Sequence, residues 1–278
     1  MCIRDRGWPY YAEHLILATP DNGVAAAMYA ACKATVKVGD GNEISLHEQT
    51  NYPFEETIRF TVNTPKAVSF PFYLRIPSWT EGATIFVNGK KVAANPEAGQ
   101  YACINREWKD NDQVEIQLPM QLSMRTWQVN KNSVSVDYGP LTMSLKIDED
   151  YVKKDSRATA IGDSKWQEGA DASQWPTYEI YAKTPWNYAL VLGKNEPLKD
   201  FKVVHKEWPA DNFPFTVAST PIEVKAIGCK VPSWVIDQYD LCSELPEMDA
   251  PKGEKEEITL IPMGAARLRV SAFPNTRE

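Results

Sequence analysis

Short stretches in which apolar and polar residues alternate are the feature that most limits how this 278-residue chain can fold. In residues 57–62, Ile58, Phe60 and Val62 fall on one side of an extended strand, and residues 113–118 alternate in the same way. Further stretches recur at spacings of about ten residues and are separated by Pro, Gly and Asn. The pattern predicts a mostly β chain built from β-sandwich domains.

The rest of the sequence contains a turn signal, a loop-rich segment, a further strand-like segment and one ambiguous segment. Asn88 and Gly89 predict a tight hairpin turn. Residues 148–176 are charged and poor in apolar residues, which predicts a loop-rich insert, and residues 266–270 alternate like a strand. Residues 24–31 are ambiguous, because their alanine and methionine content favours a helix.

One helix is expected near the start of the chain. Apolar or aromatic residues at Trp8, Tyr11, Leu15 and Ile16 follow helical spacing over residues 8–17. The Pro-Asp-Asn-Gly sequence that follows ends the helix and predicts a turn.

Composition excludes several classes of function. The net charge is −7, and no basic patch or arm is present, so nucleic acid is not an expected partner. No apolar run approaches the ~20 residues of a membrane helix, so no membrane partner is expected either. Hydrophobic residues make up 43% of the chain, which is enough for a substantial buried core. Oligomeric state and localisation are left unassigned.

The five cysteines are too widely spaced for a disulfide framework or a zinc site. They are Cys2, Cys32, Cys103, Cys229 and Cys242. We expect buried, unpaired thiols, and the pairing of Cys229 with Cys242 is left open.

The other candidate chemical groups have ordinary structural explanations. The acidic runs at 55–56, 148–150 and 256–257 fall in turn or loop contexts and are expected to be solvated. His14, His47 and His205 do not share the spacing of metal ligands. Six tryptophans are candidates for stacking against sugars, although core packing is the favoured interpretation. They are Trp79, Trp108, Trp127, Trp175, Trp186 and Trp234.

Several short motifs occur in an order that resembles one enzyme family. They lie at residues 10–15, 19–23, 37–41, 52–54, 74–79 and 87–90, with a closing block at 257–274. From Gly7 to Pro274 the chain resembles the carboxy-terminal portion of β-L-arabinofuranosidase-like glycoside hydrolases, family 127 and its relatives. The resemblance implies a strand within residues 24–31. It also implies β-sandwich domains that follow a remnant helix of an upstream (α/α) barrel.

The resemblance also implies a division into domains. Residues 1–6 match nothing in the family and are interpreted as a non-native artefact resembling translated adapter DNA. Residues 7–22 would end the helical-barrel catalytic domain. Residues 23–147 would form a middle β-sandwich, and residues 148–278 an insert and a carboxy-terminal β domain.

The mechanism implied by the resemblance is retaining hydrolysis of L-arabinofuranosides on plant-type oligosaccharides or polysaccharides. A cysteine nucleophile would lie in a zinc cluster of three Cys and one Glu, with a second Glu as acid/base. All these groups are expected upstream of Gly7, so no catalytic or metal-binding residue is assigned here, and no cofactor is expected in this chain. Zinc belongs to the full-length parent, and the chain alone is predicted to be inactive. His14 and Trp8, beside the missing cleft, are the candidate substrate-binding residues.

Two other functions fit the same sequence. The chain would then be a stand-alone, non-catalytic β-sandwich that binds carbohydrate or a protein partner, or a purely structural pair of β domains.

Overall fold

The computed structural model describes residues 7–93, 96–159, 169, 171–238 and 241–277, and for Trp8, Thr159 and Ala172 the backbone only. The chain divides into two compact units, of which the first ends at Gln121 and the second begins at Leu122. None of the described helices has both the length and the apolar character needed to cross a membrane.

In the residues that the structure describes, the first unit contains one short helix, α1 (Gly7–Glu13), and ten strands. The strands are β1 (Ile16–Ala18), β2 (Val24–Ala26), β3 (Cys32–Val38), β4 (Asn42–Gln49), β5 (Thr57–Asn63), β6 (Val68–Arg75), β7 (Thr84–Val87), β8 (Lys90–Lys91), β9 (Tyr101–Trp108) and β10 (Asp112–Gln117). They form a four-stranded sheet in the order β1-β2-β6-β9 and a six-stranded sheet in the order β3-β4-β5-β10-β7-β8.

The two sheets of the first unit enclose one hydrophobic core. Phe60 of the six-stranded sheet meets Phe72 of the four-stranded sheet edge to face, with ring centroids 5.3 Å apart. Trp108 is fully buried beside Phe72, and its indole N–H donates to the Phe70 carbonyl at 3.0 Å. The buried residues are those on the inward phase of the alternating strands, so the predicted β-sandwich fold class is confirmed.

The start of the first unit differs from the prediction in one respect. The helix covers Gly7–Glu13 rather than residues 8–17, and Ile16–Ala18 instead forms β1, which pairs with β2. Leu15, at the junction, is buried. Pairing with a neighbouring strand overrides the helical spacing there, because it satisfies the backbone of this segment. The origin of α1 in a helical barrel stays a prediction.

The second unit contains a large sheet and a separate two-stranded ribbon. Its elements are β11 (Leu122–Trp127), β12 (Ser133–Tyr138), β13 (Leu141–Leu145), β14 (Glu149–Lys154), α2 (Ser156–Thr159), β15 (Thr177–Ala182), β16 (Tyr188–Leu192), β17 (Lys202–His205), β18 (Ile222–Lys230), β19 (Lys255–Pro262) and β20 (Asn275–Arg277), with short 3-10 helices at Ala172–Gln174 and Met263–Ala265. The large sheet runs β11-β12-β13-β19-β18-β16-β20, and β17 pairs with β18.

The division between the units differs from the boundary expected at residue 148. Strands β11, β12 and β13 lie in the second unit because β13 pairs with β19, which comes from the far end of the sequence. A long-range pairing of this kind leaves no local signal in the sequence.

Two segments of the second unit depart from their sequence patterns. Strand β14 lies within the insert predicted to be loop-rich and pairs with β15, both largely exposed. Residues 266–270 are not a strand. The Arg267 N–H donates to the Glu149 carboxylate at 2.8 Å, and the Val270 N–H donates to the Ser144 hydroxyl at 3.1 Å. These side-chain acceptors take the place of the strand-to-strand backbone hydrogen bonds that the alternating pattern predicted.

Candidate functional site

A buried carboxyl group near one end of β4 is the centre of the candidate site. Ile44, Leu46 and Glu48 occupy alternate positions of β4 and point to the core, and only 1% of Glu48 is exposed. Glu48 therefore stands where the pattern calls for an apolar residue. Its position is the sequence signal by which this residue could be found.

The Glu48 carboxyl has few hydrogen-bond donors for a buried acid. Its Oε1 accepts the Ala30 N–H at 3.0 Å, and its Oε2 lies 3.7 Å from the thiol of Cys32, its cross-strand neighbour on β3. Burial outweighs these two contacts and raises the pKa of Glu48 to about 8. Burial, followed by the neighbouring carboxylate, raises the pKa of the Cys32 thiol to about 11.

Two tyrosines lie near this pair, and one arginine lies beside the tyrosines. Tyr29 is buried, and its hydroxyl donates to the Arg75 carbonyl at 2.6 Å. Arg75 Nε donates to the Ala27 carbonyl at 2.6 Å, and its guanidinium lies 6.0 Å from the centre of the Tyr29 ring. Tyr11 reaches the same place from α1, where burial and then the Glu48 charge raise its pKa. Tyr11, Tyr29, Cys32, Glu48 and Arg75 are called the Glu48 cluster below.

The Glu48 cluster holds protons at neutral pH. With a pKa of about 8, Glu48 is mostly protonated at neutral pH, and the Cys32 thiol is protonated as well. A protonated thiol is a poor nucleophile. The mechanism implied by the resemblance needs a zinc-bound thiolate and two glutamates, whereas the cluster holds one protonated thiol and one glutamate.

The two predicted substrate-binding residues lie at α1. His14 follows the helix directly and is exposed, and its Nδ1 lies 2.6 Å from the Tyr10 carbonyl, to which the ring N–H donates. The side chain of Trp8 lies outside the described residues. A role for either residue in binding a sugar stays a prediction.

Within the described ranges, no three His, Cys, Asp or Glu side chains are grouped as metal ligands. The expectation that zinc belongs to the full-length parent stays a prediction. Glu56 accepts the Met120 N–H at 2.7 Å, and Glu256 accepts the Tyr188 hydroxyl at 3.0 Å, so both carboxylates have structural partners.

The candidate tryptophans divide into core and surface residues. Trp108 and Trp234 are buried, as the core-packing interpretation predicted. Trp79 and Trp186 are half-buried against the cores of the first and second units respectively. Trp127 and Trp175 are exposed, by 40% and 67%. The Arg125 guanidinium stacks on the Trp127 ring at 5.1 Å, so Trp127 already has one stacking partner.

The cysteines only partly match the prediction of buried thiols. No disulfide joins the four described cysteines, including Cys229 and Cys242. Cys229 is buried and Cys32 is half-buried, but Cys103 and Cys242 are exposed, which corrects the prediction for these two. Cys103 lies on the outward phase of β9, and Cys242 forms an isolated β-bridge with Ile236. Cys2 lies outside the described residues.

The fold and the cluster define the first unit as a two-sheet β-sandwich domain with a buried acid near one sheet end. Residues 23–120 match the family model described as "Beta-L-arabinofuranosidase, GH127 middle domain". This part of the first unit is therefore similar to the middle domain of glycoside hydrolase family 127. The predicted resemblance to β-L-arabinofuranosidase-like glycoside hydrolases is confirmed.

Solved structures show the same fold over nearly the whole chain. A GH127 beta-L-arabinofuranosidase from Geobacillus stearothermophilus is 21% identical with a TM-score of 0.60, and the match covers 95% of this chain and 35% of that one. A structure described as a glycoside hydrolase is 22% identical with a TM-score of 0.57, covering 92% and 36%. A GH127 beta-arabinofuranosidase is 20% identical with a TM-score of 0.58, covering 93% and 36%.

These likenesses concern the fold, and the chain spans about a third of the length of these structures. A search of curated proteins gave no match.

Proposed function

We propose that this chain is the carboxy-terminal part of a retaining glycoside hydrolase that acts on L-arabinofuranosides or related plant-type glycans. The observation that carries the proposal is the match of residues 23–120 to a GH127 middle domain. Solved glycosidases that are about three times as long and share the fold of nearly the whole chain add support.

In this proposal the two β units support a catalytic barrel and do not themselves carry out hydrolysis. The chemistry of the Glu48 cluster agrees with this role, because its thiol and carboxyl are both mostly protonated at neutral pH. Catalytic groups and any zinc would belong to a helical domain upstream of Gly7. His14 would approach the sugar from the junction with that domain.

The test is to read the source DNA upstream of the codon for Gly7. We expect the frame to continue into a helical domain with a Cys-Cys pair shortly before Gly7 and glutamates further upstream. A frame bounded by a stop codon and starting at Met1 would contradict the proposal.

A second candidate function is a stand-alone β protein that binds carbohydrate without cleaving it. The exposed indole ring of Trp175 favours it, because an aromatic ring in solvent offers a surface for stacking. Titration of tryptophan fluorescence with plant oligosaccharides tests it, since a stand-alone binding protein should respond without releasing sugar. A Trp175→Ala variant that responds like the parent chain would remove the support given by Trp175.

A further inference from the structure

The outer face of the six-stranded sheet carries a groove that no chemistry described so far uses. Its volume is about 340 Å³, and it spans strands β4, β5, β10 and β7 of the first unit. Three inter-strand spacings make this face about 14 Å wide. The lining residues are Gln49, Arg59, Phe60, Thr61, Phe86, Gly89, Gln113, Val114, Glu115 and Gln117.

The register of the sheet brings the lining side chains into rows. Gln49 lies opposite Arg59, Arg59 opposite Glu115, and Glu115 opposite Phe86, so one row crosses four strands. Thr61 and Gln113 are opposite each other in the next row on the same face. All these side chains occupy the outward phase of their strands.

A hydrogen-bonded network fixes part of this surface. Arg59 Nε donates to Glu115 Oε2 at 2.8 Å, and Gln117 Nε2 donates to Glu115 Oε1 at 2.9 Å. The Thr84 hydroxyl donates to Gln117 Oε1 at 3.3 Å. Both carboxylate oxygens of Glu115 are therefore held in place. The groove has a preformed polar floor, as ligand sites usually do.

Other polar groups of the groove are available to a ligand. Within the described part of the chain, the side chains of Gln49, Thr61 and Gln113 make no hydrogen bond. Amides and hydroxyls both donate and accept hydrogen bonds, so this set matches a ligand rich in hydroxyl groups. Arg59 and Glu115 carry the formal charges of the lining, and these cancel.

One aromatic ring interrupts this polar surface. Phe86 is half-buried and points outward, whereas Phe60 and Val114 are fully buried in the core. A phenyl ring among amides and hydroxyls suits a ligand with apolar C–H faces as well as hydroxyl edges. Gly89, at the end of the groove, has nothing within 4 Å of the position a Cβ would occupy, so that end stays open.

We propose that this groove binds a neutral oligosaccharide. The balanced charge disfavours a nucleic acid or polyanion, and a single outward ring is too little apolar surface for a hydrophobic peptide. A short sugar chain would lie across the strands, with one ring over Phe86 and its hydroxyls on Gln49, Thr61 and Gln113. The proposal does not depend on hydrolysis, so it stands or falls separately from the proposed enzyme function.

The experiment is native affinity electrophoresis of the full 278-residue chain in gels containing soluble arabinan, arabinoxylan or hydroxyethylcellulose. Polygalacturonate is the anionic probe. We expect retardation by at least one neutral polymer and none by polygalacturonate. Phe86→Ala should weaken the apparent affinity about tenfold, because it removes the stacking surface. Gln113→Ala, at an exposed position, should weaken it several-fold with the thermal midpoint unchanged.

The matched control is Trp127→Ala, which removes an exposed ring of the second unit that is already stacked by Arg125, and it should bind like the parent chain. Three results would overturn the proposal. They are no retardation by any neutral polymer, parental binding by both groove variants, or loss of binding only in the Trp127→Ala variant. If Phe86→Ala fails to fold, Gln113→Ala alone decides between these outcomes.

Discussion

At the scale of single residues, Glu48 is a buried acid whose protonation is tied to folding. Its carboxyl is buried on the core side of β4 with one backbone donor and one thiol beside it. The folded protein holds the proton up to a pH of about 8, whereas an unfolded chain releases it near 4.5. Burial of Glu48 therefore makes folding sensitive to pH.

The Glu48→Gln variant tests this linkage. Between the two pKa values the folded state binds a proton that the unfolded state has lost, so raising the pH destabilises the parent protein. The slope attributable to Glu48 is about 1.4 kcal/mol per pH unit in this window, and it vanishes below pH 4.5. We expect Glu48→Gln to gain stability relative to the parent chain as pH rises from 5 to 8 in urea unfolding. A stability difference between Glu48→Gln and the parent chain that does not change with pH would contradict the prediction. The control variant is Glu107→Gln, on the exposed face of β9.

Cysteine alkylation tests the environment of Cys32. Burial and the neighbouring Glu48 keep its thiol protonated at pH 8, while Cys103 is exposed on β9. We expect iodoacetamide to label Cys103 well before Cys32, as read by peptide mass spectrometry. Equal labelling rates would show that Cys32 is more open or more acidic than the structure indicates.

At the scale of elements, the β7–β8 hairpin shows how a local sequence signal fixes a turn. Asn88 and Gly89 have φ values of 50° and 75°, the left-handed pair that such a two-residue turn requires. The Asn88 side chain also donates to Asp112 at 2.8 Å and accepts the Gln113 N–H at 2.8 Å. The turn is thereby tied to β10.

We expect Asn88→Ala to destabilise the first unit by about 1 to 3 kcal/mol, because it loses both hydrogen bonds and places alanine at a positive φ. Asn88→Gly, which loses the same hydrogen bonds but tolerates the positive φ, should lose less, and Lys90→Ala should change little. Thermal unfolding of the three variants supplies the comparison. An Asn88→Ala midpoint equal to that of Lys90→Ala would show that the turn is not held in this way.

Elements with a local pattern were the ones that the sequence could predict. Strand β7 and its turn agree with the alternation and with the Asn-Gly signal. In contrast, the helix ends earlier than expected, because residues 16–18 pair with β2 and form strand β1. Residues 266–270 do not form the predicted strand, because the N–H groups of Arg267 and Val270 donate to side-chain acceptors. Both differences come from partners distant from the local pattern.

At the scale of the whole molecule, the sequence predicted the fold better than the candidate sites. The family motifs indicated β-sandwich domains, which the structure and the match over residues 23–120 confirm. The Glu48 cluster was missed although its alternation with Ile44 and Leu46 is visible in the sequence. The groove around Phe86 could not be predicted from the sequence, because its lining residues come from four strands and are brought together by the strand register.

The measurement that most directly tests the account is sugar release by the purified 278-residue chain. The substrate is p-nitrophenyl β-L-arabinofuranoside, supplied with zinc chloride and a reductant so that no missing additive limits the reaction. If the two β units support catalysis that occurs elsewhere, nitrophenol release stays at the level of the protein-free blank. Release that rises in proportion to the concentration of the chain would place a working active site within it and contradict the account.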